Sequence, residues 1–197
     1  MAMKKKYLII GLLIILSSKG FCQFDNYING YVVKESRDTI FGKLKDMSEE
    51  RSCFKIKFID SNGNKVKFKD AEVYAYKRGT ELYFKKSYER PISISNMLGF
   101  MKLIDTGKVK LFQFSYVVQN AGTMNANGVM TGGRSSYRQD YYIEKNNRLL
   151  LVRKMGFKNT MTEYFSDNSE LADKIRSKDL KYRDIKEIVR MYNRSKE

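Results

Sequence analysis

The sequence predicts an α+β domain, a mainly antiparallel β-sheet of hairpins and meander covered by C-terminal helices. Three observations predict it. Between residues 27 and 153, apolar and polar residues alternate at period two or form short apolar runs bounded by turn residues. From about residue 160 to 194 the apolar period becomes that of a helix. The two kinds of segment do not interleave, so βαβ units and a parallel sheet are not expected.

Residues 31–34 and 39–45 read as strands across the polar tetrad Glu35-Ser36-Arg37-Asp38, which suits a tight connection. Phe54, Ile56 and Phe58 then alternate with Lys55 and Lys57, and Val66 and Phe68 alternate with Lys65, Lys67 and Lys69. Asn62-Gly63 lies between these runs, and both residue types accept positive φ, so residues 53–69 read as a hairpin. Residues 73–76 and 81–86 form a further pair across Arg78-Gly79-Thr80, and Pro91 closes the block because it lacks a ladder donor.

Residues 96–105 fit a short helix or a strand. Residues 109–118 and 149–152 are apolar on both parities, the pattern of central strands covered on both faces. The segment 120–136 holds four glycines and no apolar period, and reads as a long loop, a mobile hairpin tip rather than a binding loop. Its Gly132-Gly133-Arg134 lacks the strand, helix and Gly-Lys-Ser/Thr ending of a phosphate loop. Thr160-x-x-Glu163, Asp167-x-x-Glu170 and Asp184-x-x-Glu187 each have the form of a helix-starting capping box. In the last helix Ile185, Ile188, Val189 and Tyr192 fall at i, i+3, i+4 and i+7, a stripe that packs on a sheet.

Ahead of the sheet, Lys4, Lys5 and Lys6 precede an apolar run over residues 7–16 and the polar, small-residue stretch that ends at Cys22. The run has about half the ~20 residues of a membrane-spanning helix, so residues 1–22 read as a signal peptide, cut between Cys22 and Gln23. Phe21 and Lys19 occupy positions where a lipidated cysteine wants small and aliphatic neighbours, so a lipid on Cys22 is the weaker reading. Removal of this segment takes four lysines and no acid, lowering the net charge from +16 to +12 over a single domain of residues 23–197. Localisation follows as periplasmic or extracellular, with no transmembrane helix in the mature chain.

Composition excludes much chemistry. The chain has no histidine, so Ser-His-Asp and Cys-His nucleophile pairs, imidazole bases and histidine-ligated metals are absent. Two cysteines, of which Cys53 alone follows the cut, build neither a four-cysteine metal site nor a disulfide within the mature chain. No cofactor is expected and no catalytic residue stands out. Glu49 with Glu50 reads as a surface loop, Asp167 with Glu170 as a helix cap, and Tyr137, Tyr141 and Tyr142 as filling of a strand pair.

The lysines are the most specific feature. Lys43, Lys45, Lys55, Lys57, Lys65, Lys67 and Lys69 share one face of the expected meander, opposite Leu44, Phe54, Ile56, Phe58, Val66 and Phe68. They form a candidate polyanion face. The solvated face of a lysine-rich chain is the more ordinary reading, and it also blocks edge-to-edge aggregation. Lysine rather than arginine, and no tryptophan, argue against specific nucleic-acid recognition.

Arg37-Asp38-Thr39-Ile40-Phe41-Gly42, the aromatic strand body, Tyr141-Tyr142-Ile143-Glu144-Lys145 and the closing Ile188-Val189-Arg190-Met191-Tyr192-Asn193 together resemble uncharacterised secreted proteins of Bacteroidetes. Those carry Gly-Asp-Thr-Ile/Leu-x-Gly, and Arg37 stands here in place of the first glycine. The resemblance implies export and assigns no functional residue. The reading is an exported cell-envelope binding or structural module whose partner is an anionic envelope polymer or a protein. The alternative is a carboxylate-dependent enzyme on an envelope polymer or a phosphorylated substrate, which needs two acids converging in a pocket.

Overall fold

A computed structural model describes residues 26–195 except 89–96, 121, 125 and 129. The expected cut between Cys22 and Gln23, the apolar run before it and Pro91 lie outside the described residues. Among the described residues twelve strands run β1 Tyr27–Lys34, β2 Thr39–Lys45, β3 Phe58–Asp60, β4 Lys65–Val66, β5 Val73–Arg78, β6 Glu81–Tyr88, β7 Met97–Asp105, β8 Lys110–Asn120, β9 Thr123–Met124, β10 Met130–Thr131, β11 Arg134–Lys145 and β12 Arg148–Val152. Four α-helices are α1 Glu49–Ser52, α2 Phe157–Tyr164, α3 Ser169–Arg176 and α4 Ile185–Arg194. Ten strands form one sheet in the order β12-β11-β8-β7-β6-β5-β1-β2-β3-β4, and β9 pairs with β10. Every paired neighbour is antiparallel. The fold is α+β with a dominant antiparallel sheet and mostly C-terminal helices.

One face of the sheet carries most of the covering elements. Leu111 and Ile143 are cross-strand partners and are buried with Val152 under Phe157, Met161, Phe165, Leu171, Ile175 and the α4 stripe Ile185, Ile188, Val189 and Tyr192. On the same face, toward the other end, Val32 opposes Tyr76 and Tyr76 opposes Tyr83. These join Leu44, Phe58, Val73 and Phe100 in a second cluster, so β2–β4 curl over β5–β7. The opposite face holds Phe84, Met101, Phe112 and Tyr142, and there Glu144 is buried between Lys86 and Lys110.

The expected hairpin over 53–69 exists only in part. β3 and β4 pair through Phe58 with Val66 and Ile59 with Lys65, but residues 54–57 leave the ladder. The cause is tertiary. β7 and β8 pair only from Lys102 and Gln113 toward their connection, although β7 begins at Met97 and β8 runs on to Asn120. Cys53, at the end of α1, occupies the divergence: its carbonyl accepts from Phe100 N–H at 2.8 Å and its Sγ from Ser115 N–H at 3.3 Å. Two backbone donors that lost their ladder partner are thereby satisfied by one residue.

The turn in this hairpin also differs from expectation. Gly63 has φ 86°, but Asn62 is not among the positive-φ residues. Asp60 accepts through Oδ1 from Asn62 N–H and Asn64 N–H, and Gly63 N–H donates to the Asp60 carbonyl. A side-chain-braced turn followed by a left-handed glycine replaces the two-residue type I′ turn. That turn occurs instead at Asn146 and Asn147, φ 54° and 62°, between β11 and β12.

Other expectations shift similarly. Residues 97–105 are strand β7; β8 is central as expected, but β12 is a sheet edge. It reads as central because Leu150 joins the helix-covered cluster while Leu149 and Leu151 pack on the opposite one. The segment 120–136 is not a structureless loop: β8 and β11 stay in register to Asn120 and Arg134, and the β9–β10 pair follows. Helix α2 starts at Phe157 after Gly156, φ 75°, so Thr160 lies inside it. Asn168, not Asp167, caps α3 by accepting from Leu171 N–H. Asp184 precedes α4 but accepts from Lys181 N–H, so no capping box forms there.

Candidate functional site

The curl of β2–β4 encloses a cleft of about 700 Å³. Segment 54–58 and segment 65–69 face each other across it, Tyr27 and Lys45 contribute from the ends of β1 and β2, and Val73 and Phe100 from β5 and β7. Phe58, Val73 and Phe100 are buried, and Ile56, Val66 and Phe68 are half-buried against the same cluster. They make an apolar floor, with the Phe58 and Phe68 rings edge-to-face at 5.6 Å. Phe54 is the exception to the expected inward row. It leaves the strand, is 44% exposed and packs edge-on against Phe114 on β8.

Six of the seven candidate lysines line this cleft: Lys45, Lys55, Lys57, Lys65, Lys67 and Lys69. All but the half-buried Lys45 are exposed. No carboxylate is among the described lining residues. Lys43 does not line it; by register Lys43, Ile59 and Lys65 share the outer face of the ladder, opposite Leu44, Phe58 and Val66 as expected, and Lys65 borders the cleft from β4 at the sheet edge. Where the ladder forms, the expected division into a lysine face and an apolar face holds, and the lysines also border the recess above the apolar floor. Six like charges around one concavity with low-dielectric walls focus a positive potential into it.

Beside the cleft, a constellation that the sequence did not reveal centres on Glu49 of α1. Its Oε2 accepts from Gln113 Nε2 at 2.8 Å, Tyr137 OH at 2.8 Å, Gln139 Nε2 at 3.1 Å and Ser115 Oγ at 3.3 Å, and its Oε1 from Lys102 Nζ at 3.0 Å. Lys102 also holds Glu81, and Glu81 holds the buried Arg78, which donates to the Met47 carbonyl and to Ser52 Oγ. Glu49 thus belongs to a helix that is fastened to β5, β6, β7, β8 and β11, and not to a surface loop.

Glu49 and Glu81 converge on Lys102, but neither lines the cleft, so they are not the pair of acids in a pocket that the enzyme reading requires. Partial burial is the largest single influence and raises both carboxyls, but the lowering contacts, led by the Lys102 ammonium in each, together outweigh it. The Tyr137 hydroxyl adds to this at Glu49 and Arg78 at Glu81, so both sit below the ordinary carboxylate value. A general acid needs the opposite shift. The contacts of Glu49 fasten α1 to the sheet, and those of Glu81 hold Arg78 and Lys102, which in turn reach α1.

Burial pushes the Cys53 thiol up to about 11, which keeps it protonated and unreactive. Tyr142 is buried, Tyr141 packs beneath the C-terminal helices and Tyr137 bonds Glu49, so these three are not one stacking surface. Asp167 bonds Lys145 and Tyr192, and Glu170 bonds Lys174. Among the described residues no group of three or more Cys, Asp or Glu side chains is placed to hold a metal ion, and no helix is long and apolar enough to cross a membrane. Compared with known families, curated proteins and solved structures, the chain matches none.

Proposed function

We propose that the chain is an exported cell-envelope binding module that takes an anionic ligand in the lysine-rimmed cleft. The observation that carries the reading is the lining itself: six lysines and no described carboxylate around a recess with an apolar floor. A solvated surface spaces its charges apart and intersperses both signs, whereas this rim concentrates one sign at a concavity. The lysine triplet and apolar run ahead of residue 22 support export, and an envelope offers anionic polymers and phosphorylated headgroups as ligands.

The test compares two triple variants against inorganic polyphosphate at ~0.15 M salt, where the Debye length is about 8 Å. One carries Lys55→Gln, Lys57→Gln and Lys67→Gln; the other carries Lys181→Gln, Lys186→Gln and Arg190→Gln. Both remove three charges. Selective loss of affinity and of salt slope in the first supports the cleft. Equal losses reduce the effect to net charge, and absence of binding in the parent dismisses the reading.

A further inference from the structure

A rim of cations is enough for a polyanion; an apolar floor is not needed for one. Phe58 and Phe100 are buried in the second core cluster, and Ile56, Val66 and Phe68, half-buried against it, keep part of their apolar surface facing the recess. The recess also continues. A smaller pocket of about 100 Å³ shares Phe54 and Phe100 with the cleft and adds Cys53, Leu98, Gly99 and Lys85, the last ion-paired with Glu35. Phe54 and Leu98 are 44% and 59% exposed and set two large apolar side chains side by side along this smaller pocket. The apolar track therefore runs out of the cleft past Phe54 toward the start of β7, where β7 has parted from β8.

We infer that the ligand is a phosphate-headed acyl lipid, its head among the lysines and its chain along the track from Phe68 and Phe58 past Phe100 to Leu98. Charge complementarity fixes the head. Six lysines with no described acid suit a group of up to two negative charges and several acceptor oxygens, which several ammonium groups engage at once. Volume fixes the scale, since about 700 Å³ lies within the ~300–1,000 Å³ of small-molecule sites. Lysine suits such a head better than arginine would, because an ammonium on a flexible stem follows a head whose depth varies with the chain beneath it. This inference rests on the anionic-ligand reading above and goes beyond it in requiring the floor.

Calorimetric titration of the purified chain with octyl phosphate, decyl phosphate, decyl maltoside and inorganic tripolyphosphate, each below its micellar concentration, separates the two claims. Each methylene seated on the floor tightens binding by up to about fourfold, so decyl phosphate is expected to exceed octyl phosphate by roughly tenfold. Decyl maltoside, with the same chain and no charge, is expected to bind at least tenfold more weakly than decyl phosphate. Leu98→Ser, at an exposed position, is expected to shrink the chain-length ratio while leaving tripolyphosphate affinity and the unfolding midpoint unchanged; Phe54→Ser is expected to shrink it with tripolyphosphate affinity unchanged and a midpoint lowered by the lost ring contact with Phe114. Lys55→Gln with Lys57→Gln and Lys67→Gln weakens both phosphates. Equal affinity for octyl and decyl phosphate, with tripolyphosphate still bound through the lysines, overturns the lipid and leaves the anionic-ligand reading intact. Failure of every phosphate to bind overturns both, and equal binding of decyl maltoside overturns the phosphate head.

Discussion

Asn193, near the end of α4, is the strongest single test of how the helices are held to the sheet. Its Oδ1 accepts from Val109 N–H at 2.9 Å, and its Nδ2 donates to the Val109 carbonyl at 2.9 Å and to Asp105 Oδ1 at 2.8 Å. Val109 is fully buried, so its backbone has no water to replace the amide. In Asn193→Ala, two neutral hydrogen bonds of about 0.5–1.5 kcal/mol each and one to a carboxylate of about 1.5–3 kcal/mol are lost. Alanine recovers about 0.5 kcal/mol of helix propensity. The net expectation is a destabilisation of about 2–5.5 kcal/mol. With a urea slope of about 2 kcal/mol/M the denaturation midpoint falls by about 1–3 M, without a change in slope. Asn193→Asp keeps the acceptor for Val109 N–H but sets a second carboxylate beside Asp105. Its stability is expected to be low at pH 7 and to recover as pH falls toward 4. Gly107→Ala reaches the same contact from the other side, because a Cβ there meets Asn193 Cγ at 2.6 Å. An Asn193→Ala midpoint within 0.2 M of the parent would refute the reasoning.

Glu49 and Glu81 have carboxyls held low in the fold, so their contribution to stability is present above the unfolded carboxylate pKa of about 4.3 and is lost as pH falls through the lower folded values. Denaturation midpoints between pH 6 and 2 are expected to fall along that limb, and Glu49→Gln with Glu81→Gln should flatten it; an unchanged limb counts against the network. Cys53, buried where β7 and β8 part, is expected to react with a neutral thiol reagent at pH 8 only at the rate of global unfolding, and labelling as fast as that of a free thiol would show the plug to be open. Gly63→Val is expected to cost about 1 kcal/mol from the φ of 86° alone, since a Cβ there meets nothing within 4 Å. Asp60→Ala, which orphans two backbone donors at an exposed turn, should cost about as much. Asn62→Ala should cost less than about 0.5 kcal/mol; a large loss there would restore the type I′ turn.

Much of the architecture was legible because local pattern and tertiary packing agree. β1, β2, β5, β6 and β8 follow apolar runs bounded by turns, and the α4 stripe is buried at all four of its positions. Agreement ends where one residue serves a distant partner. Phe54, Ile56 and Phe58 alternate with lysine as regularly as a strand does, yet Cys53 is drawn to Phe100 and Ser115, and that contact takes residues 54–57 out of the ladder. Caps shift for a similar reason. Asp167 bonds Lys145 and Tyr192 across the helix layer, leaving Asn168 to cap α3. Of the candidate site the lysines were visible and the recess was not. Val73, Phe100 and Tyr27 reach it through strand order, and nothing in their neighbours' sequence marks them. The hub at Glu49 was hidden because its partners come from β7, β8 and β11, more than fifty residues further along the chain.

The position of β1 between β2 and β5 has a consequence for how such a protein diversifies. The chain leaves β1 on one side, builds β2–β4, and returns to β1 on its other side as β5. Ten of the fourteen residues around the cleft come from positions 54–69 within that detour. Both ends of the detour are clamped to the same strand, and Glu49, Cys53 and Phe58 anchor its interior, so change is tolerated best at the exposed positions between these anchors, while the sheet from β5 to β12 keeps its ladder. On the proposed reading, ligand preference is expected to follow substitutions at the exposed lysines of residues 55–69, made with Glu49, Cys53 and Phe58 kept.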